Sequence, residues 1–309
     1  MLTGHLDTVG VAGMEDPFSA RVEDGRLYAR GAQDMKGGLA AAMVAVEELA
    51  RGPRLAGDLI VAAVADEELE SAGARRLIET GAMADAAIVM EPTGLEIATA
   101  HKGFAWAEVA TRGRAAHGSR PEEGLDAIFF MGRVLREIER LQAGLNNGAA
   151  HPLLGHGSIH ASLISGGQEL SSYPAECRLS LERRFIPGET PATLDRELSQ
   201  ILSRLAQQDP QFRAQYKLGY AAQPLETAPE SAVAQTLLLC AQRVIGSRSR
   251  LASQSFWTDA ALFSEAGISS VLFGPGGAGL HGSVEYVNLD DVRLCAETLA
   301  DCARAFCGS

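Results

Sequence analysis

The sequence predicts an α/β domain with a mostly parallel, helix-covered sheet, interrupted by an inserted α+β domain. Apolar strands alternate with amphipathic helices in the N-terminal part, and the same alternation returns near the C-terminus. Between these parts the elements follow the order β-α-β-β-α-β, which is the order of the split βαβ, or ferredoxin-like, module. We therefore expect the α/β domain over 1–101 and 220–309, and an insert over 102–219.

The N-terminal part predicts two helices and two buried strands. Apolar residues at helical spacing indicate a helix over 36–51, which Gly52-Pro53 ends. A strand over 59–64, a helix over about 71–80 and a strand over 86–90 follow. Sites in parallel sheets lie at the carboxyl ends of the strands. Acidic residues follow both predicted strands, so we expect a functional site at this edge.

The insert and the C-terminal part are predicted from the same patterns. The strands expected in the insert cover 104–111, 158–165, 175–185 and 212–218. Its helices are expected from Pro121 to about Gln142 and from Thr190 to about Gln207. The C-terminal part predicts a helix over 230–245, a strand over 270–273 and a last helix from 289. The α/β pattern of the first part thus resumes after the insert.

The composition restricts the partners and the cellular location. A net charge of −12 argues against nucleic acid or an anionic membrane as a partner, because both would repel the chain. Neither a basic run nor an apolar stretch long enough for a membrane span occurs in the sequence. The five cysteines form no C-x-x-C pair, which argues against a disulfide framework or a thiolate zinc site. We expect a cytoplasmic protein with reduced thiols.

Acidic residues and histidines occur in motifs that end predicted strands or lie in the loops beside them. The motifs are Gly4-His5-Leu6-Asp7, the segment 31–38, Asp66-Glu67-Glu68, Met90-Glu91-Pro92-Thr93 and Gly279-Leu280-His281-Gly282. Two histidines with three or four carboxylates suit two divalent zinc ions. A carboxylate shared between the ions would hold them roughly 3.5–4 Å apart. A further carboxylate, outside the ligand set, would then be available as a general base.

In this order the motifs resemble those of the dinuclear zinc amidohydrolases, the family of acetylornithine deacetylase, succinyl-diaminopimelate desuccinylase, aminoacylase and glutamate carboxypeptidase. The matching segments are GHLDTV at 4–9, GRLYARGAQDMKGG at 25–38, DEELESAG at 66–73, EPT at 91–93, RGRAAHGSRPEEGLDAI at 112–128 and HGSVEYV from His281. The resemblance implies hydrolysis of the amide bond of an N-acylated amino acid or a similar small substrate with a free carboxylate. It also implies two metal ions and a homodimer formed through the insert.

The resemblance implies a role for each matching residue. The expected metal ligands are His5 and Glu91 for the first ion, Glu68 and His281 for the second, and Asp34 bridging both. Asp7 is expected to orient the ring of His5. Glu67 is expected to be the general base. In the insert, His117 is expected to stabilise the oxyanion in the partner subunit's site, and Arg184 to hold the substrate carboxylate.

Several alternatives stay open at this level. The same site would serve a dipeptidase or a metallo-carboxypeptidase, and a catalytically impaired binding protein descended from the enzyme is an alternative of another class. Cobalt or manganese would fit the same ligands as zinc. Asp259 fits an N-cap and a site residue equally well. His151, His156 and His160 cluster in the insert, and structural roles are favoured for them.

The N-terminus departs from the resemblance. Relatives carry several dozen residues before the Gly-His-x-Asp motif, whereas only Met1, Leu2 and Thr3 precede it here. A buried strand usually needs about four to eight apolar residues. Chain ends are also poorly ordered unless they are tied down. We therefore expect an N-terminally shortened chain, whose first strand is prone to fraying and whose missing segment leaves apolar surface exposed.

Overall fold

A computed structural model of the 309-residue chain describes residues 1–11 and 13–308. The chain divides into two compact units. The first comprises Met1–His101 together with the residues from Leu225 onward, and the second comprises Lys102–Pro224. The second unit extends beyond the expected residue 219, because its last strand continues to Ala222.

The elements of both units follow in chain order. The strands are β1 (Leu2–His5), β2 (Arg21–Glu23), β3 (Arg26–Tyr28), β4 (Val61–Val64), β5 (Ala86–Val89), β6 (Ile97–His101), β7 (Gly103–Arg112), β8 (Ser158–Gly166), β9 (Glu176–Phe185), β10 (Ala214–Ala222), β11 (Leu225–Glu226), β12 (Leu251–Gln254), β13 (Ser269–Leu272), β14 (Gly277–Ala278) and β15 (Tyr286–Asn288). The helices are α1 (Gly37–Ala50), α2 (Ala72–Glu79), α3 (Ala127–Asn146), α4 (Pro191–Gln208), α5 (Ala232–Ile245), α6 (Ala260–Glu265) and α7 (Leu289–Cys307).

The main sheet of the first unit is mixed and mostly parallel, which confirms the predicted fold class. Its strand order is β11-β6-β13-β5-β1-β4, and β12 pairs with β6. β1 runs parallel to both β4 and β5, and β13 runs parallel to β5. β6 is antiparallel to β11 and β13. The carboxyl ends of β5, β1 and β4 therefore lie side by side at one edge of the sheet.

Helices cover both faces of this sheet. On β5, Ile88 packs into the core formed with α1, α5 and α7, whereas its neighbours Ala87 and Val89 pack into the core formed with α6. This alternation follows from the period of two along a strand. β1 is buried along its whole length, and the Met1 amino group donates a hydrogen bond to the Ala86 carbonyl at 2.8 Å. No helix in the described part of the chain has the length and apolar character of a membrane span.

The second unit has the predicted β-α-β-β-α-β order over β7-α3-β8-β9-α4-β10. Its antiparallel sheet has the strand order β10-β7-β9-β8. Inward residues of β9 such as Leu179 pack with Val134 of α3 and Leu198 of α4 in one apolar core. β8 and β10 form the two edges of the sheet, and most of β8 is exposed.

The predicted start of α3 at Pro121 is wrong, because the helix begins at Ala127. Leu125 pairs with Arg114 through two main-chain hydrogen bonds, at 2.9 and 3.0 Å. This pairing keeps the segment before Ala127 out of the helix. Asp126 is the N-cap, and its side chain accepts a hydrogen bond from the Phe129 N–H at 2.9 Å. The proline therefore lies in the turn before the helix.

A small antiparallel sheet, β14-β15-β3-β2, has no counterpart in the sequence prediction. Its strands have two or three residues each, too few for a hydrophobic period to show. β15 pairs with β3, with Tyr286 opposite Tyr28. The chain leaves β3 toward residues 31–34 and enters β15 from residues 279–285. The small sheet thus brings these two loops together.

Candidate metal centre

Three of the expected ligands follow neighbouring strands of the main sheet. His5 is the last residue of β1. Glu91 lies two residues after the end of β5, and Glu68 lies four residues after the end of β4. Since these strands are parallel and adjacent, their carboxyl ends meet at one edge of the sheet. The edge that the sequence indicated therefore carries these three side chains.

Asp34 reaches the same edge from the turn Ala32–Lys36, which leads into α1 and whose backbone is not helical at Asp34 and Met35. The start of α1 packs directly on the main chain after β5. A Cβ atom on Gly38 would lie 2.1 Å from the Met90 carbonyl oxygen, and one on Gly37 would lie 2.7 Å from the Ala32 oxygen. Both contacts exclude a side chain. The paired glycines thus allow the close approach that brings Asp34 to the strand ends.

Asp34 presents one oxygen to each of the two histidines. Its Oδ1 lies 3.0 Å from Nε2 of His5, and its Oδ2 lies 3.3 Å from Nε2 of His281. The same nitrogen of His281 lies 3.2 Å from Oε2 of Glu68. Two groups suited to a metal ion result, His5-Asp34-Glu91 and Asp34-Glu68-His281, each with ligand atoms within 4.8 Å of one another. The structure thus brings the five expected ligands into two groups that share Asp34.

The donor set fits divalent cations for a second reason. Oε1 of Glu68 and Oε1 of Glu91 are buried and have no hydrogen-bond partner within residues 1–11 and 13–308. A buried carboxylate oxygen without a partner is costly, and a bound cation is one way to compensate it. Both residues belong to the two groups defined above.

The electrostatic field of the site also favours cations. Burial raises the pKa of Glu91 to about 8. Burial, and then the charge of Glu91, raise the pKa of Glu67 well above its ordinary value. Burial by itself would lower the pKa of His5, but the hydrogen bond to Asp34 and the neighbouring carboxylates raise it to about 10. Each shift reflects negative charge concentrated where water is largely excluded.

Asp7 supports the site in a way that the sequence did not show. Its carboxylate accepts hydrogen bonds from three consecutive main-chain N–H groups, those of Asp66 at 2.8 Å, Glu67 at 3.3 Å and Glu68 at 3.1 Å. Nδ1 of His5 lies 3.1 Å from the main-chain oxygen of Asp7 and 3.6 Å from its carboxylate. The ring is thus oriented chiefly by the carbonyl, while the carboxylate holds the loop after β4.

Glu67 belongs to neither ligand group, but it lines the cavity beside them. The cavity has a volume of about 260 Å³. Its polar wall is formed by Asp34, Glu67, Glu68, Glu91 and His281, and its apolar wall by Pro92, Phe256, Trp257 and Leu280. The sequence did not single out Phe256, Trp257 or Leu280 as site residues, because isolated apolar residues in loops resemble ordinary packing residues.

Asp259 lies at the N-cap position of α6, yet its side chain makes no capping hydrogen bond. It is buried, and burial raises the pKa of its carboxyl to about 6. Its charge contributes to the raised pKa values of Glu67 and Glu91. Of the two interpretations left open by the sequence, the missing capping bond and these charge interactions favour a residue next to the site.

His117 and Arg184 both lie in the second unit. His117 is exposed, and its Nδ1 accepts a hydrogen bond from the Ser119 main-chain N–H at 3.2 Å. Arg184, on β9, donates from Nε to Glu182 at 2.6 Å and lies over the ring of Phe104. Neither belongs to the two ligand groups of the first unit.

Among the three clustered histidines of the insert, the ring of His151 has main-chain contacts. Its Nδ1 accepts from the N–H groups of Leu153 and Leu154, each at 3.2 Å, which agrees with the structural role that the sequence favoured for this residue. The main-chain oxygen of His156 accepts from Lys102 Nζ at 2.7 Å.

Comparison with known proteins agrees with this geometry. Residues 1–305 match the peptidase family M20/M25/M40. The chain is 35% identical over 315 aligned positions to an acetylornithine deacetylase of Myxococcus xanthus, covering 99% of this chain and 80% of that protein.

Solved structures show the same fold at low sequence identity. A tripeptidase from Staphylococcus aureus has a TM-score of 0.79 at 20% identity, over 99% of this chain and 80% of that one. A metallo-carboxypeptidase from Sulfolobus solfataricus has a TM-score of 0.77 at 19% identity, over 98% of this chain and 84% of that one. The chain belongs to the peptidase family M20/M25/M40 and is a metal-dependent hydrolase of amide bonds.

Proposed function

We propose that this hydrolase removes the acyl group from an N-acylated amino acid or a similar small amide with a free carboxylate, using two divalent metal ions. The proposal rests mainly on the geometry of Asp34. Its carboxylate presents one oxygen to each of two histidine-containing ligand groups. The substrate class is supported by the 35% identity to an acetylornithine deacetylase. The cavity of about 260 Å³ suits a small substrate rather than a long peptide.

The two ligand groups would each hold one ion, with Asp34 shared between them. Zinc suits their imidazole and carboxylate ligands, and cobalt or manganese would fit the same set. Bound ions would supply Lewis acidity toward the scissile carbonyl and the attacking water. The remaining functions fall to side chains of this chain.

Glu67 is the general base in this mechanism. Its carboxylate lines the cavity without belonging to either ligand group. It takes a proton from the attacking water and later delivers this proton to the nitrogen of the leaving amine. The Asp7 carboxylate accepts hydrogen bonds from the main chain of Glu67 and of the neighbouring ligand Glu68. These bonds fix the position of the base relative to the ligand.

His117 stabilises the oxyanion from the partner subunit. Because the Ser119 N–H can only donate, Nδ1 of His117 is the acceptor, and in the neutral ring Nε2 carries the proton. The ring therefore has an N–H donor for the oxygen that develops charge. Arg184 pairs with the substrate carboxylate, a bidentate interaction for which a guanidinium is well suited.

The role of His117 requires a homodimer, which we propose to form through the second unit. β8 is an edge strand with exposed apolar side chains, including Leu163 at 72% and Ile164 at 57% exposure. An unpaired edge of this kind is prone to pair with another chain. In sedimentation measurements we expect a dimer for the parent and a monomer for a Leu163→Lys, Ile164→Lys double variant. A monomeric parent would contradict this part of the proposal.

We also propose a cytoplasmic location, because all five cysteines are free thiols and four of them are buried. Proteins of oxidising compartments more often use their cysteines in disulfides. Localisation of the tagged full-length protein by fractionation tests this proposal. Recovery with an exported fraction would contradict it.

Two measurements test the proposed activity. Chelation should remove about two metal ions per chain and stop hydrolysis, and added Zn²⁺ or Co²⁺ should restore it. Full turnover by the metal-free protein would refute the metal mechanism. A panel of acetylornithine, succinyl-diaminopimelate, other acyl-amino acids and dipeptides then defines the substrate. Cleavage of dipeptides alone would make the protein a peptidase, and no turnover by the metal-loaded protein would make it a binding protein.

A further inference from the structure

A buried ion pair connects the segments that carry two of the proposed ligands. Nη1 of Arg30 donates to Oε2 of Glu285 at 2.6 Å, and the two side chains are 2% and 0% exposed. Arg30 lies four residues before Asp34, and Glu285 lies four residues after His281. Neither charged residue belongs to a ligand group or lines the cavity that holds Glu67. Their burial therefore needs another explanation.

Glu285 binds the main chain of the Asp34 segment. Its Oε2 accepts a hydrogen bond from the Gly31 N–H at 3.1 Å. Its Oε1 accepts from the Gln33 N–H at 2.9 Å and from the Asp34 N–H at 3.1 Å. Hydrogen bonds from main-chain N–H groups to a carboxylate are charge-assisted and strong. The carboxylate of Glu285 thus fixes the turn from which the shared ligand projects.

Arg30 binds the main chain of the His281 segment in return. Its Nη2 donates to the Gly282 carbonyl at 2.9 Å, and its Nε donates to the Gly10 carbonyl at 3.1 Å. His281 has a φ of 57°, in the left-handed region that residues other than glycine rarely adopt. Such a backbone persists only where surrounding contacts hold it. The hydrogen bond to Gly282 is one of these contacts.

We propose that Arg30 and Glu285 are positioning residues that set the separation of Asp34 and His281 and thereby the affinity for the second metal ion. Each residue comes from the segment of one ligand and binds the segment of the other. Two of the three ligands in the Asp34-Glu68-His281 group depend on the pair. In the other group only the shared Asp34 does, because His5 and Glu91 are held by β1 and β5. Loss of the pair should therefore weaken the second ion more than the first.

The test measures binding of Co²⁺ alone to metal-free protein, by equilibrium dialysis and by the visible absorption of bound Co²⁺. The inference rests on the proposed two-metal function, and the parent tests that function separately. Two ions on the parent support it, and fewer would refute it before any variant is considered. The variants Glu285→Gln and Arg30→Lys test the positioning role. Arg30→Lys keeps the buried positive charge opposite Glu285 but loses the planar fork that reaches three acceptors.

In both variants we expect the second Co²⁺ to bind roughly 10- to 100-fold more weakly, with a smaller change for the first ion. The matched control is Arg183→Lys, because Arg183 is a fully buried arginine paired with Glu189 and Glu197 in the second unit. This control should lose stability without losing affinity for either ion. If Glu285→Gln does not fold, the Co²⁺ affinities of Arg30→Lys alone test the positioning role. Parental affinity for both ions in folded Arg30→Lys, or equal weakening of both, would overturn the proposal.

Discussion

Replacing Glu67 with glutamine tests the proposal that Glu67 is the general base and not a metal ligand. The side chain keeps its shape but can no longer accept a proton from water. A positioned general base typically contributes about 10²- to 10⁴-fold to the rate. We therefore expect kcat to fall by that factor, equivalent to about 3–5 kcal/mol of barrier.

The structure also predicts what the Glu67→Gln substitution leaves unchanged. Glu67 belongs to neither ligand group, so the variant should still bind two metal ions per chain. The substitution replaces an ionisable carboxyl with a neutral amide beside the buried carboxyls of Glu91 and Asp259, so no repulsion from a charged Glu67 remains. The metal-free variant should for this reason unfold at a temperature no lower than that of the parent.

The assay compares kcat, metal content and melting temperature for the parent, Glu67→Gln and the control Glu70→Gln. Glu70 is an exposed residue of the same loop, and its substitution should leave all three quantities unchanged. Turnover by Glu67→Gln at the parental rate would refute the assignment of the base. Loss of activity together with loss of a metal ion would instead make Glu67 a ligand.

Three further predictions concern the other site residues. Glu68→Ala should lower the metal content from two ions toward one, and an unchanged metal analysis would remove Glu68 from the ligand set. Mixing equal amounts of His117→Ala and Glu67→Ala chains should restore roughly a quarter of the sites, because about half of the dimers are mixed and each mixed dimer has one complete site of two. No recovery in confirmed mixed dimers would contradict a role across the interface. Asp7→Asn should reduce kcat about 10- to 100-fold through a loosened loop, and parental kinetics would show that the three hydrogen bonds to Asp7 do not matter for catalysis.

Much of the fold and most of the residues in the two candidate ligand groups followed from features of the sequence. The apolar strand at 86–90 and the helix at 36–51 show their periods within a few residues, and the structure has β5 and α1 there. Carboxylates directly after buried strands indicated the edge at which the site lies. The type of side chain in the motifs then indicated metal chemistry, because imidazole and carboxylate are ligands for zinc.

Other features depend on contacts between distant segments and leave no local period. The short strands β3 and β15 exist because they pair with each other across more than half the chain, and this pairing brings Asp34 to His281. Likewise, α3 begins at Ala127 because Leu125 pairs with Arg114. The sequence alone predicted a start at Pro121, where the residue type suits a helix N-terminus.

For charged side chains too, the sequence indicated some roles and only the folded structure showed others. The family resemblance of the motifs implied metal-ligand roles for His5, Asp34, Glu68, Glu91 and His281, because the type and order of these residues carry the resemblance. It did not indicate that the Asp7 carboxylate binds three main-chain N–H groups, or that Arg30 pairs with Glu285. A hydrogen bond is directional and acts over about 3 Å, so only the folded chain decides which carboxylate meets an ion and which meets the backbone.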